Sequence, residues 1–228
     1  MSIHELAPGA PPTRRLGVLG SGDVGRALAS GLAAAGHSVV LGTRDPDSAD
    51  LVTWAAGVGV GLAAPAAAVR DAELLLNATP GAASVDAVTA AGGADLDGLV
   101  LLDVSNPLDF STGAPTVFTG MDDSIGERLQ RAFPRLRVVK SLCTVNNAVM
   151  VNPAALPEPT AMFVAGDDLD AKQAVAGLLG SLGWPADQIL DLGGIVASRE
   201  LERNILFWLR IYGAVGTANF NLRVVRDS

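Results

Sequence analysis

The segment Leu16-Gly17-Val18-Leu19-Gly20-Ser21-Gly22-Asp23-Val24-Gly25-Arg26-Ala27-Leu28 constrains the fold more than any other stretch of the chain. A short apolar run there turns through three glycines into a helical pattern. Gly20, Gly22 and Gly25 have the G-x-G-x-x-G spacing. In that spacing the first glycine makes a tight turn, the second lets the backbone approach a pyrophosphate, and the third permits close helix-on-strand packing. The helix N-terminus, with Ser21, Asp23 and Val24 beside it, would aim free N–H groups at the phosphates. Such triplets also arise by chance in a chain with 26 glycines, so the neighbouring elements decide whether this one holds a dinucleotide.

Arg15 to Leu19 reads as the first strand. Val24, Leu28, Leu32 and Ala35 share one face of the following helix, and Gly36 sits where that helix should stop. Ser38 to Leu41 reads as a second strand, completing a β-α-β unit of about 30 residues. It ends in Gly42-Thr43-Arg44-Asp45. An NAD site would normally place an acidic side chain at this strand end, to accept from the ribose hydroxyls. Here Thr43 offers a hydroxyl and Arg44 a permanently charged fork suited to a 2′-phosphate, with Arg26 or backbone groups as further partners. The expected dinucleotide is NADP; the alternative is that Arg44 is a solvated loop residue paired with Asp45 or Asp47.

Asp45-Pro46-Asp47 should open a helix through Leu51 and Trp54 to a stop near Gly57, followed by a strand at Val58 to Leu62 and a helix at Pro65 to Val69. Leu74-Leu75-Leu76, within a strand from Glu73 to Ala78, has the character of a strand buried on both faces, as in parallel sheets. It ends in Asn77-Ala78-Thr79-Pro80-Gly81, at the carboxyl edge where doubly wound sheets bind ligands. Ala78, Thr79 and Pro80 are therefore candidates for the nicotinamide side of the cofactor, or form an ordinary turn. After a helix at Ser84 to Ala91, the strand Leu99 to Asp103 ends at the same edge in Val104-Ser105-Asn106-Pro107-Leu108. Ser105 and Asn106 are candidate cofactor contacts. Asn106 carries donor and acceptor for a carboxamide or carbonyl, and Pro107 stiffens the turn; an ordinary Asn-Pro turn is the alternative.

Residues 109–121 read as a long irregular connection, Asp122 to Phe133 as a helix and Arg137 to Lys140 as a strand. Thr144 and Asn147 follow as candidate substrate contacts with Asn106 and Pro107. Cys143 has no histidine partner in sequence and reads as a small buried or cleft-lining residue. His37 reads as a solvated turn residue or a helix C-terminal charge partner. Prolines from Pro153 to Pro159 mark a boundary. The expected organisation is a flexible tail at 1–13, a nucleotide domain at 14–153 and a C-terminal portion at 154–228. That portion holds a strand at Ala161 to Ala165, a helix capped by Asp167-Asp168, a strand at Gln188 to Leu192, and a helix from Ile195 to Val215. The last helix is apolar around much of its circumference, so it should be buried, shared with a second copy in a homodimer.

With 228 residues, 49% hydrophobic and 18% charged, the chain is long enough and apolar enough for a full core. A net charge of -8 disfavours nucleic acid and anionic membranes as partners. No apolar run reaches the roughly 18 residues of a membrane span, and no signal-peptide pattern opens the chain, so a cytoplasmic protein is expected. One cysteine and two histidines, His4 and His37, leave little for a metal site. The fold class is α/β: a Rossmann-like doubly wound parallel sheet with a smaller C-terminal α/β portion.

From about Arg15 to its end the sequence resembles the NADPH-dependent reductases of the deazaflavin coenzyme F420. The resemblance lies in Gly20-Ser21-Gly22-Asp23-Val24-Gly25, Gly42-Thr43-Arg44-Asp45, Ser105-Asn106-Pro107-Leu108, Ala165-Gly166-Asp167-Asp168 and Leu182-Gly183-Trp184. It implies direct hydride exchange between NADPH and F420, a small-molecule second substrate, in a cleft between the nucleotide half and the C-terminal elements. No protein acid or base is then required. Val24 and the segment Ser141-Leu142-Cys143-Thr144-Val145-Asn146-Asn147 depart from the family pattern. Two alternatives stand beside this expectation: an NADPH-dependent reductase of another acceptor, such as a flavin or an imine or alkene metabolite, and a non-catalytic NADP-binding module.

Overall fold

The computed structural model describes residues 13–111, 113–225 and 227, so most of the expected N-terminal tail lies outside the described residues. The elements run β1 (Arg15–Leu19), α1 (Asp23–Ala34), β2 (Ser38–Gly42), α2 (Ala49–Val58), β3 (Gly61–Ala63), α3 (Pro65–Ala68), β4 (Leu74–Asn77), α4 (Ser84–Ala91) and β5 (Val100–Asp103). They continue with β6 (Leu108–Asp109), β7 (Thr116–Val117), α5 (Ile125–Ala132), β8 (Arg137–Ser141), α6 (Asn147–Val151), β9 (Met162–Ala165), α7 (Leu169–Ser181), β10 (Ile189–Asp191) and α8 (Ser198–Val215).

Eight strands form one sheet in the order β10-β9-β8-β5-β4-β1-β2-β3. Its pairs are parallel except β8 with β9. Alternation along the strands sorts side chains to two cores. Leu74, Leu76, Val100, Leu102 and Val139 face α1, α6 and α7 through Leu28, Leu32, Val149, Met150, Val175 and Leu179. Leu75, Leu101 and Val138 face the opposite side, where Val88 of α4 and Ile125 and Leu129 of α5 cover them. The strand order reverses between β1 and β4, so β1, β4, β5 and β8 bring their carboxyl ends to one crevice, where such sheets bind ligands.

Several local expectations change. Helix α2 starts after Ser48 rather than at Asp45-Pro46-Asp47; the Asp45 N–H donates to Thr43 Oγ1 instead, at 3.4 Å. Val58 belongs to α2, leaving β3 only three residues. The connection at 109–121 contains β7, which pairs antiparallel with β6. Helix α6 is an element the sequence pattern did not signal; the Asn146 side chain caps it by accepting from Val149 N at 3.0 Å. The sheet runs without a break across the proline-marked boundary, since β9 pairs with β8.

Helix α8 is not buried within the chain. Only Ser198, Leu201 and Glu202 are enclosed, while Phe207, Tyr212 and Val215 are exposed. Trp208 stacks between Tyr212 and Phe220, at 5.6 and 5.1 Å. Among the described residues no helix is long and apolar enough to cross a membrane.

Candidate cofactor site

The glycine turn is forced by contact. Gly20 has φ +108°, a left-handed conformation, and a Cβ there would stand 2.6 Å from the Ala78 carbonyl oxygen. A Cβ on Gly25 would stand 1.9 Å from the Gly20 carbonyl oxygen. Gly22 is different: nothing lies within 4 Å of its Cβ position, and as the N-cap of α1 it provides no side-chain cap. The first N–H groups of a twelve-residue helix therefore face an open cradle, which suits a pyrophosphate. Ser21 and Asp23 flank the cradle, and Val24 packs partly into the core.

Thr43 is buried beside the turn and donates from Oγ1 to Ser21 Oγ at 3.2 Å. Arg44 is exposed and has no hydrogen bond or ion pair among the described residues; neither Asp45 nor Asp47 engages it. Arg26 is occupied instead. It donates to the Ser21 carbonyl at 3.0 Å, pairs with Asp50 at 2.6 Å and lies over the Trp54 ring. Thr43 and Arg44 thus fit a 2′-phosphate, and Arg26 buttresses the turn.

The nicotinamide candidates form one line along the sheet edge. Ala78 touches Gly20, and the Ala78 N–H donates to the Leu19 carbonyl at 2.8 Å. Thr79 Oγ1 donates to Asn77 Oδ1 at 2.6 Å; Pro80 is exposed. Gly81 brings this turn onto the next, because a Cβ there would stand 2.5 Å from the Asn106 carbonyl oxygen. Asn106 Nδ2 donates to the Cys143 carbonyl at 2.8 Å, joining the turn after β5 to the one after β8. That bond fixes the amide orientation and leaves Asn106 Oδ1 as an acceptor only. Asn106 Oδ1, Ser105 Oγ and Thr144 Oγ1 are buried without a hydrogen-bond partner, although groups so placed are nearly always satisfied. Pro107 is buried, its carbonyl accepting from Phe118 N at 3.0 Å. Asn147 is the first residue of α6 and half-buried.

Beneath these turns lies a charged cluster that the sequence reading missed. Lys140 is fully buried, its Nζ 2.8 Å from Asp103 Oδ2 and 2.9 Å from Glu202 Oε1, and it also donates to the Ser105 carbonyl. Burial alone would depress the Lys140 pKa, but the two carboxylates outweigh it and hold the ammonium charged. Burial pushes the Glu202 carboxyl upward against the pull of Lys140. Burial likewise pushes the Cys143 thiol up to about 12, so it carries no nucleophile at neutral pH. His37 is buried rather than solvated. It lies at the amino end of β2, where Nδ1 accepts from Arg14 N at 3.2 Å and Nε2 meets Ser181 Oγ at 3.0 Å. Burial and the Arg14 charge lower its pKa.

The sheet order and the glycine turn define a Rossmann-like, doubly wound α/β protein. Residues 15–107 match the family of coenzyme F420-dependent NADP oxidoreductases. A crystal structure from Arthrobacter sp. FB24, provisionally named an F420-dependent NADP-reductase, is 45% identical with a TM-score of 0.89, covering 93% of this chain and 100% of its own. Metalloreductase STEAP3 from Rattus norvegicus is 30% identical over 204 residues, 88% of this chain; the chain spans 38% of that protein's length. An imine reductase from Aspergillus terreus in complex with NADPH4 shares the fold alone, at 21% identity and a TM-score of 0.64 over 90% of this chain and 63% of that one. The chain belongs to the F420-dependent NADP oxidoreductase family.

Proposed function

We propose that the protein exchanges a hydride between NADP(H) and coenzyme F420. One observation carries the reading beyond the family: the edge offers phosphate-binding groups at one end and unpartnered neutral polar groups at the other, while the ionisable side chains beneath it are locked in buried pairs. Such an edge orients two planar carriers without a protein acid or base.

In this reading the α1 N-terminus and Gly22 hold the pyrophosphate, and Thr43 and Arg44 read the 2′-phosphate. Ala78, Thr79, Pro80, Ser105 and Asn106 seat the nicotinamide end. When bound there, NADPH would supply a hydride, and with one proton from solvent the products would be NADP+ and reduced F420. Asn106, Pro107, Thr144 and Asn147 face the second carrier, and residues 154–228 complete its side of the cleft. The exposed apolar side of α8 would pair with a second copy. Sedimentation at micromolar protein tests this, a single-chain mass being the contrary result.

Mixing the protein with NADPH and oxidised F420 without oxygen should bleach the visible absorbance of the deazaflavin. No bleaching with ample enzyme would overturn the F420 assignment. A second reading, a reductase passing hydride to another small acceptor, is favoured by the 30% identity to a metalloreductase; there NADPH would be consumed by a flavin or metal chelate and not by F420.

A further inference from the structure

Lys140 has three ammonium protons and three partners: Asp103 Oδ2, Glu202 Oε1 and the Ser105 carbonyl. Each partner leads to a different part of the fold. Asp103 Oδ1 accepts from Asn77 Nδ2 at 2.8 Å and from Ser105 N at 3.2 Å. Asn77 Nδ2 also reaches Ser84 Oγ at 2.9 Å, and Asn77 Oδ1 accepts from Thr79. Glu202 accepts from Ile125 N at 2.8 Å and Gly126 N at 3.0 Å, closing the first turn of α5 against α8. A continuous hydrogen-bonded chain therefore runs from Thr79 through Asn77, Asp103 and Lys140 to Glu202, across the carboxyl ends of β4, β5 and β8.

This chain is saturated, whereas the groups on the turns it holds are not. Ser105 is gripped at both its N–H and its carbonyl, yet its hydroxyl has no partner, and neither has Asn106 Oδ1 or Thr144 Oγ1. On the Ser105–Asn106 turn one fixed acceptor and one hydroxyl complement a primary carboxamide: its NH2 donates to Asn106 Oδ1 and its carbonyl accepts from Ser105 Oγ, while Thr144 is left to the second carrier.

We propose that Lys140, held by Asp103 and Glu202, is a positioning residue that fixes the Ser105–Asn106 turn for the nicotinamide carboxamide, with Glu202 making that turn's geometry depend on α8. This rests on the nicotinamide placement proposed above and not on the identity of the second substrate. Its effect should fall on the nicotinamide end of NADPH alone, since the glycine turn and Arg44 take no part in the chain.

The test compares binding of NADPH with that of 2′-phosphoadenosine 5′-diphosphoribose, which keeps the phosphates and lacks the nicotinamide. Wild-type protein should bind NADPH more tightly. In Lys140→Met and Glu202→Gln that preference should fall about tenfold while affinity for the fragment stays within about twofold. Glu202→Gln keeps the volume of the side chain, so its ratio decides the matter should Lys140→Met fail to fold. Parallel loss of both ligands, or an unchanged preference in folded variants, overturns the positioning role while leaving the nicotinamide placement intact. A wild type that binds both ligands equally overturns the placement and the role together.

Discussion

Lys140 Nζ and Glu202 Oε1 stand 2.9 Å apart with neither side chain more than 1% exposed. The pair ties the C-terminal helix to the centre of the sheet. Removing one member of such a pair is costly because it strands a buried charge, whereas neutralising both is milder. Lys140→Met should therefore lower unfolding free energy by about 3–5 kcal/mol. The double variant Lys140→Met/Glu202→Gln should be more stable than the sum of the single losses implies. Urea denaturation of the four proteins measures this, and strictly additive losses would show that the two side chains are not coupled.

The three glycines of the turn should respond differently to one methyl group. Gly20→Ala and Gly25→Ala drive a Cβ into backbone oxygens at 2.6 and 1.9 Å and should each cost about 2–4 kcal/mol of stability. Gly22→Ala meets open space, so it should lose at most about 1 kcal/mol while weakening NADPH binding by crowding the cradle. Thermal melts with titrations separate the cases; a Gly22→Ala protein with full affinity would place the pyrophosphate elsewhere.

Arg44 and Arg26 should separate by nucleotide. Arg44→Ala should weaken NADPH by about 1.5–3 kcal/mol and leave NADH nearly unchanged, as one charge-assisted phosphate contact is lost. Arg26 is held by Asp50 and the Ser21 carbonyl, so Arg26→Ala should move both nucleotides together. Equal losses for NADPH and NADH in Arg44→Ala would remove it as the phosphate reader.

Strong acid should loosen the segment that leads into α5. Burial raises the Asp123 pKa, but hydrogen bonds from Arg128 and Arg131 outweigh it and bring the carboxyl from 3.8 down to about 2. A carboxylate with a depressed folded pKa contributes stability above its unfolded value and loses it as pH falls toward the folded one. Stability should therefore decline from pH 3.8 toward about 2, and more gently in Asp123→Asn. An identical acid slope in the variant would contradict the assignment.

What could be read from the sequence depended on how local each signal was. The bounds of β1 and α4 follow from apolar runs and their flanking turns. The glycine turn and Thr43-Arg44 carry their sequence signal within about 25 residues. Asp45-Pro46-Asp47 misled because its capping pattern competes with a turn onto Thr43 Oγ1. Helix α6 has five residues, too few to show a helical period. Lys140 looked like the polar end of a strand. Its meaning lies in registers no local pattern states: Asp103 opposite it on β5, and Glu202 brought in from 62 positions later in the chain. The covering of α8 is illegible for a related reason: an apolar helix needs a partner, and most of this one finds none among the described residues of its own chain.

Direct transfer of hydride from NADPH to F420 is tested most directly by isotope. In a single turnover with NADPH deuterated at the transferring C4 position, mass spectrometry of the F420 product should find the deuterium in the reduced deazaflavin ring. Unlabelled reduced F420, or no reduction of F420 while NADPH is consumed by another acceptor, would contradict the account.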